Sequence, residues 1–394
     1  MPFSLPRPRS ARHRKQEKTE ERSAPSVQMI VNVASVSVAC AVLVYAIVSH
    51  HGFVSSRDVS AVIDAVQAEP PAPPPPPTLD RAEYDGRLLA LALSEPYGTP
   101  HPAATSTAST TSASSTPAKK PLWPAKAPYP EYGALLPFHR IVAYYGNFYS
   151  TQMGVLGEYP HDQVLAKLKG EVASWNAADP ATPALPAVDY IAVTAQGSAG
   201  KDGKYRLRMP DDQVDKALAM AREVHGVLIL DIQVGLSTLP QELPLLENYL
   251  KQPDVHLAID PEFSMVKSGV APGHVIGTFD AADVNYAANY LAELVRANHL
   301  PPKVLVVHRF TEDMVTGYKR IKPLPEVQVV MDMDGWGFPE RKKNTYRRVI
   351  QSEPVQFTGF KLFYKNDIKP PSTHMLTPRE VLQLTPRPVF IQYQ

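Results

Sequence analysis

The sequence contains little cysteine, almost no net charge and no glycine-rich nucleotide motif. The single cysteine among 394 residues, Cys40, excludes an internal disulfide framework and any cysteine-rich metal site. A formal net charge of +1 provides no field for a polyanion, so we expect no nucleic-acid partner. The first loop after the first predicted strand, YYGNFYSTQMG, lacks G-x-G-x-x-G. A nucleotide-binding open sheet is therefore not expected.

Proline is unevenly distributed and divides the chain. Proline is concentrated before residue 131, in the first third of the chain, which separates a low-complexity part from a globular part. The remaining length suits one α/β barrel. The sequence predicts four regions: a basic tail at 1–26, a membrane anchor at 27–48, a linker rich in Pro, Ala, Ser and Thr at 49–130, and a barrel at 131–394.

The anchor is predicted from an uncharged run. Residues 27–48 read VQMIVNVASVSVACAVLVYAIV, long enough at about 1.5 Å per residue to cross a hydrocarbon core of about 30 Å. Seven Lys and Arg residues precede this run and few follow it, which predicts a cytoplasmic N-terminus. We expect a single-pass protein of the cell membrane with its barrel outside the cytoplasm. A cleaved signal peptide is the alternative, although its apolar core is usually shorter.

The linker has three kinds of sequence. Residues 70–77 read PPAPPPPP, typical of a stiff polyproline II spacer. Residues 79–94 have apolar side chains at helical spacing and predict one short helix. Residues 99–126 are mostly Ala, Ser, Thr, Pro and Lys, which cannot bury enough apolar surface to order themselves. A spacer through a cell-wall or periplasmic layer is one interpretation, and plain low-complexity sequence is the other.

Eight short β-branched or aromatic runs alternate with helical patterns after residue 138, which predicts a (β/α)8 TIM barrel. The predicted strands begin at His139, Val188, Gly226, His256, Lys303, Val327, Phe357 and Pro388. The predicted helices cover residues 161–175, 211–224, 281–298 and 339–350. Asp280, with Asp283 three residues later, resembles a capping box before the third of these helices.

The strand ends are polar, and in such barrels the functional groups lie at those ends. Residues two apart on a strand share a face, so three pairs of polar residues, each with at least one acid, should point into the barrel mouth. The pairs are Asp231 with Gln233, Asp260 with Glu262, and Asp332 with Asp334. For any one acid, an ion pair with Lys361, Arg309 or a helix N-terminus is the structural alternative.

Clustered carboxylates beside aromatic rings suit glycoside hydrolysis, in which one carboxyl donates a proton and another faces the developing oxocarbenium ion. The predicted catalytic residues are Glu262, Asp260, Asp334 and Asp231. Rings to hold sugar faces would come from Tyr144, Tyr145, Trp336 and Tyr364. Further substrate-binding candidates are Gln233, His308, Asp332, Lys361 and Gln392. The predicted partner is a carbohydrate or cell-wall glycan, with no cofactor and no metal.

Three strands resemble those of chitinase-like glycoside hydrolases of the family-18 type. The matching segments are IVAYYG in strand 1, Asp260-Pro-Glu262 in strand 4 and Met331-Asp332-Met333-Asp334 in strand 6. The resemblance implies that Glu262 is the general acid, and that Asp260 and Asp334 contact the acetamido group of the substrate. The family patterns are D-x-x-D-x-D-x-E and M-x-Y-D. Here Val255 and Ala258 replace the first two acids, Met333 replaces the tyrosine, and no tryptophan ends strand 8.

Two other functions fit the same residues. A divalent metal could be bound by the oxygen and nitrogen ligands Asp231, Glu262, His308 and Asp334. A barrel without catalytic activity could instead bind glycan or protein through a polar cleft. The sequence does not choose between these readings and the hydrolase.

Overall fold

The computed structural model describes residues 78–99 and 121–394. The predicted tail at 1–26 and the predicted anchor at 27–48 lie outside these ranges, as does most of the predicted linker. Within the two ranges, no helix combines the length and the apolar character needed to cross a bilayer. The described residues belong to one compact unit.

Eight parallel strands form a closed barrel, which confirms the predicted (β/α)8 architecture. Each strand pairs with its neighbours in chain order, and the first strand also pairs with the last. The barrel strands are β1 Arg140–Gly146, β2 Ala184–Ala195, β3 Val227–Ile232, β4 Val255–Ile259, β5 Lys303–Arg309, β6 Val327–Met333, β7 Phe357–Leu362 and β8 Phe390–Tyr393. All eight predicted strands are present, because each is a short, buried and mostly apolar run that suits a parallel sheet.

Helices surround the barrel, and the four predicted helical segments are all helical. The longer helices are α1 Arg81–Leu93, α2 His161–Ala178, α3 Asp211–Glu223, α4 Ala281–Asn298 and α5 Pro339–Tyr346, the last continuing as one π-helical turn at Arg347–Gln351. The capping box at the start of α4 is also confirmed. The Asp280 side chain accepts a hydrogen bond from a first-turn amide, and Asp283 accepts one from the Asp280 amide.

Short elements occupy the connections. Single helical turns lie at Val155–Glu158, Leu239–Glu242, Leu243–Leu246, Glu247–Leu250, Pro261–Phe263, Glu312–Met314, Tyr318–Arg320 and Pro378–Val381. Arg206–Arg208 adds an antiparallel strand to β2, and Phe279–Asp280 pairs with Val315–Thr316 outside the barrel. These elements lengthen the loops that follow the barrel strands, where a binding site of this fold is built.

The N-terminal end of the barrel is covered by α1. Tyr84 and Leu91 of this helix are buried in one apolar cluster with Leu136 and with strand residues such as Ile141 and Val304. The helix agrees with the short helix predicted at 79–94, but it packs on the barrel. The compact unit therefore begins before the predicted boundary at residue 131, since the apolar strand ends need a cover.

Side chains alternate in and out along each strand and so divide the core in two. Ala143, Ile229 and Val306 belong to the cluster inside the barrel. Val142 and Tyr144 belong to the cluster between the strands and the helices. The alternation follows from the two-residue period of a strand. It also fixes which residues nearer the C-terminal strand ends point inward.

Candidate active site

A ring of polar side chains lies above the apolar interior, one from each strand. Each ring residue follows an inward position of its own strand by two residues and is at least 96% buried. The ring comprises Tyr145, Asp189, Asp231, Asp260, His308, Asp332, Lys361 and Gln392. Gly359 makes room for it, because a Cβ atom there would lie 2.4 Å from Asp332 Oδ1. Eight groups remote along the chain therefore meet at one level of the barrel.

An open cavity of about 660 Å³ lies directly above this ring. Seven of the predicted site residues line it: Tyr145, Gln233, Asp260, Glu262, Asp334, Trp336 and Lys361. The cavity is therefore at the C-terminal mouth of the barrel, where the sequence placed the site. Its size suits a small ligand or one to two units of a polymer.

The Asp260-Pro-Glu262 segment turns Glu262 over the cavity. Strand β4 ends at Ile259, and Pro261 begins a single helical turn. Asp260 Oδ1 accepts a hydrogen bond of 3.1 Å from the Glu262 amide. The Glu262 carbonyl accepts one of 2.7 Å from Gly277, where a Cβ atom would lie within 2.7 Å of three carbonyl oxygens. The backbone of Glu262 is thus fixed on both sides.

The Glu262 carboxyl is poised to exchange a proton near neutral pH. Burial raises its pKa, and the charge of Asp334 raises it further; Lys361 and His308 offset part of the rise. The resulting pKa is about 7. A carboxyl that is about half protonated near neutral pH can serve as a general acid or base.

Asp334 is held by cations from two other strands. Lys361 Nζ lies 3.1 Å from Asp334 Oδ1, and His308 Nδ1 lies 3.7 Å from Oδ2. His308 Nδ1 also lies 3.1 Å from Asp332 Oδ2. Burial lowers the pKa of His308, but these carboxylates outweigh burial and raise the pKa to about 10. Two cations therefore lie against the Asp334 carboxyl, which shares the cavity wall with Glu262.

Tyr145 and Gln233 connect the remaining acids. Tyr145 donates a hydrogen bond of 2.9 Å to Asp231. Gln233 donates to the Tyr145 hydroxyl at 3.1 Å and to Asp260 at 3.3 Å. The Lys361 ammonium lies 3.8 Å from the centroid of the Tyr145 ring. Burial raises the pKa values of both Asp231 and Asp260. The charge of Asp231 raises the pKa of Asp260 further, whereas His308 lowers the pKa of both acids.

Asp189 is a member of the ring that the sequence analysis missed. Its Oδ2 accepts a hydrogen bond of 2.6 Å from Gln392, while its Oδ1 has no hydrogen-bond partner among the residues that the structure describes. Burial, followed by the charge of Asp231, raises its pKa to about 8. A signal was present in the sequence, since Asp189 interrupts a strand that is otherwise apolar.

Six predicted residues lie away from the cavity wall, and two of them are the ring members Asp231 and His308. Tyr144 and Tyr364 lie outside the barrel, where their hydroxyls are 2.9 Å apart. Tyr144 cannot share the face of Tyr145, because adjacent strand residues point in opposite directions. Asp332 and Gln392 do point inward, but they lie in the buried ring rather than on the cavity wall.

The predicted metal ligands do not form a metal site. Among the described residues, no group of three or more His, Cys, Asp or Glu side chains is arranged to hold a metal ion. Electrostatic interactions link the four predicted ligands, Asp231, Glu262, His308 and Asp334. However, His308 already pairs with Asp332, and Asp334 already pairs with Lys361. Two of the four predicted metal ligands are therefore already engaged in ion pairs.

Comparisons with known proteins yield little. No protein-family model matches the chain, and no curated protein matches it. One solved structure that resembles it is a GH5-4 broad specificity endoglucanase from an uncultured bovine rumen ciliate. The identity is 10%, the alignment covers 60% of this chain and 76% of that one, and the TM-score is 0.32. A likeness at this level carries no functional argument, and the barrel assignment rests on the strand pairing.

Proposed function

We propose that the barrel hydrolyses a glycosidic bond in a carbohydrate, with Glu262 as the general acid. The observation that supports this most is the pair formed by Glu262, with a pKa of about 7, and Asp334, whose Oδ1 lies 3.1 Å from the Lys361 ammonium. Both line one open cavity. Glycoside hydrolysis needs two carboxyls in opposite protonation states.

Each of the other acids has a supporting role in this proposal. Asp334 faces the positive charge that develops on the sugar. Asp260 positions Glu262 through its hydrogen bond to the Glu262 amide. Asp231 does not line the cavity. It accepts a hydrogen bond from Tyr145, which does line it. The acetamido contacts that the family-18 resemblance implies for Asp260 and Asp334 are part of this proposal.

The test is hydrolysis of a panel of chromogenic glycosides and cell-wall fragments by the full chain. Glu262→Gln keeps the shape of the side chain but removes the proton donor, so we expect the rate to fall by at least about 100-fold. Glu293→Gln, an exposed change on α4, is the matched control and should leave the rate unchanged. Equal rates for wild type and Glu262→Gln would remove Glu262 from this role. Glycan binding without turnover by wild type would favour the binding module.

We also infer that the barrel is tethered to the cell membrane through residues 27–48 and acts outside the cytoplasm. The support is the uncharged run itself and the basic residues before it. A tethered hydrolase would act on glycans that lie within reach of the segment between the anchor and the barrel. The carbohydrate or wall glycan predicted as partner fits that location.

A further inference from the structure

The cavity has a cationic edge beside Trp336. The Trp336 side chain is 50% exposed and lies on the cavity wall. The Arg341 guanidinium carbon is 5.4 Å from the centroid of the Trp336 ring, and the Lys369 ammonium is 6.0 Å from it. Arg341 also lines the cavity. An exposed aromatic ring and two cations thus share one part of the rim.

These two cations lack the partners that neighbouring cations have. Three cations nearby each have a carboxylate within 3.1 Å: Lys361 with Asp334, Arg348 with Glu312, and Lys365 with Glu158. Within residues 78–99 and 121–394, neither Arg341 nor Lys369 has a side-chain ion pair or hydrogen bond. Their charge is therefore available to a ligand that enters the cavity.

The backbone seats Arg341 in this position. Gly337 has a φ of +146°, and a Cβ atom there would lie 2.8 Å from Arg341 Cδ. Any larger residue at position 337 would push the stem of Arg341 away from the Trp336 ring. Glycine at this position therefore leaves room for the stem of Arg341.

We propose that Trp336, Arg341 and Lys369 form a subsite for a sugar that carries an anionic substituent, a carboxylate or a sulfate. The Trp336 ring packs against the apolar face of the sugar, and the planar guanidinium binds two oxygens of the anion. Lys369 adds a second positive charge. This substrate class rests on the proposed glycosidase function, and it predicts an acidic glycan rather than a neutral one.

Calorimetric titration of the full chain measures the subsite independently of catalysis. The probes are oligosaccharides of polygalacturonate, alginate and hyaluronan, each compared with its carboxyl-reduced, neutral counterpart; dextran sulfate compared with dextran is the sulfate arm. We expect at least one acidic probe to bind about tenfold more tightly than its neutral counterpart. Arg341→Gln and Lys369→Gln should each reduce that preference. Lys365→Gln, which removes a cation already paired with Glu158, should keep it.

The outcomes separate the subsite from the catalytic proposal. Preference for a uronate assigns the anion as carboxylate, and preference confined to dextran sulfate assigns it as sulfate. Equal affinity for charged and neutral probes, an unchanged preference in Arg341→Gln, or no binding of any probe would overturn the subsite. Glu262-dependent hydrolysis of neutral glycans alone would overturn the subsite but keep the hydrolase. Acid-selective binding without any hydrolysis would do the reverse.

Discussion

Carboxyl groups outnumber cations inside the mouth of the barrel, and this imbalance sets its chemistry. Six acids share the ring and the cavity wall with four cations, which are His308, Lys361, Arg341 and Arg348. The acids are Asp189, Asp231, Asp260, Glu262, Asp332 and Asp334. Burial raises the pKa of five of these acids. The folded state therefore holds protons that the unfolded chain would release.

Asp189→Asn tests this proton uptake. The wild-type carboxyl titrates at 3.8 when unfolded and at about 8 when folded, so it costs stability increasingly as the pH rises through that interval. Asparagine does not titrate and can still accept the hydrogen bond from Gln392. We expect the variant to gain stability relative to wild type between pH 5 and about pH 8. Urea unfolding at the two pH values measures the difference.

Asp179→Asn is the matched control at the other end of the barrel. Asp179 is also buried, but it pairs with Arg140 at 2.9 Å. Loss of its charge leaves Arg140 buried and unpaired, which should destabilise the fold by about 3–5 kcal/mol. An Asp189→Asn variant that behaves like Asp179→Asn would show that Asp189 is ionised in the folded protein.

The ring could be predicted in large part, because inward residues repeat every two positions along strands that the sequence reveals. Seven of its eight members were predicted as site residues. The eighth, Asp189, could have been found because it is the acidic residue in a mostly apolar strand. The direction of Tyr144 could not, since the choice between Tyr144 and Tyr145 depends on strand register. The contact of Arg341 with Trp336 depends on a loop conformation that no period in the sequence encodes.

Helix α1 is the element that closes the N-terminal end of the barrel. Leu91 is 9% exposed and packs with the apolar strand ends, whereas Leu89 in the same helix is 45% exposed. Leu91→Ala should lower the free energy of unfolding by about 2–4 kcal/mol, and Leu89→Ala should change it by less than about 0.5 kcal/mol. Denaturant unfolding of both variants checks the difference. Equal effects would mean that α1 does not pack on the barrel in solution.

Element boundaries show where sequence reasoning stops. The existence of α1 follows from its helical spacing, but its cover for the barrel depends on apolar strand ends that lie far along the chain. The turn at Pro261 likewise ends β4 three residues earlier than a strand carrying Glu262 would require. Tertiary packing decides both features, and neither leaves a local pattern.

The two ends of the molecule have opposite chemistry, which separates stability from function. The N-terminal end is apolar and covered by α1, and the C-terminal end is charged and open. This division lets the mouth carry groups with raised pKa values while the closed end supplies packing.

The proposed membrane tether concerns the whole chain and has its own test. Cells that express the full chain should contain it in the membrane fraction, and a protease added outside intact spheroplasts should remove the barrel. The reason is that residues 27–48 are expected to span the bilayer with the N-terminus inside. A mature protein that begins after residue 48 would show a cleaved signal peptide instead. Complete protection from the protease would contradict the orientation.

The most direct test of the central claim is a carboxyl-carbon NMR titration of wild type and Glu262→Gln. We predict a carboxyl signal that titrates near pH 7 in wild type and is missing from the variant. Such a signal would show that the crowded mouth keeps Glu262 protonated at the pH where it must donate a proton. A Glu262 signal that titrates near its ordinary value of 4.5, with the side chain freely ionised at neutral pH, would contradict the account.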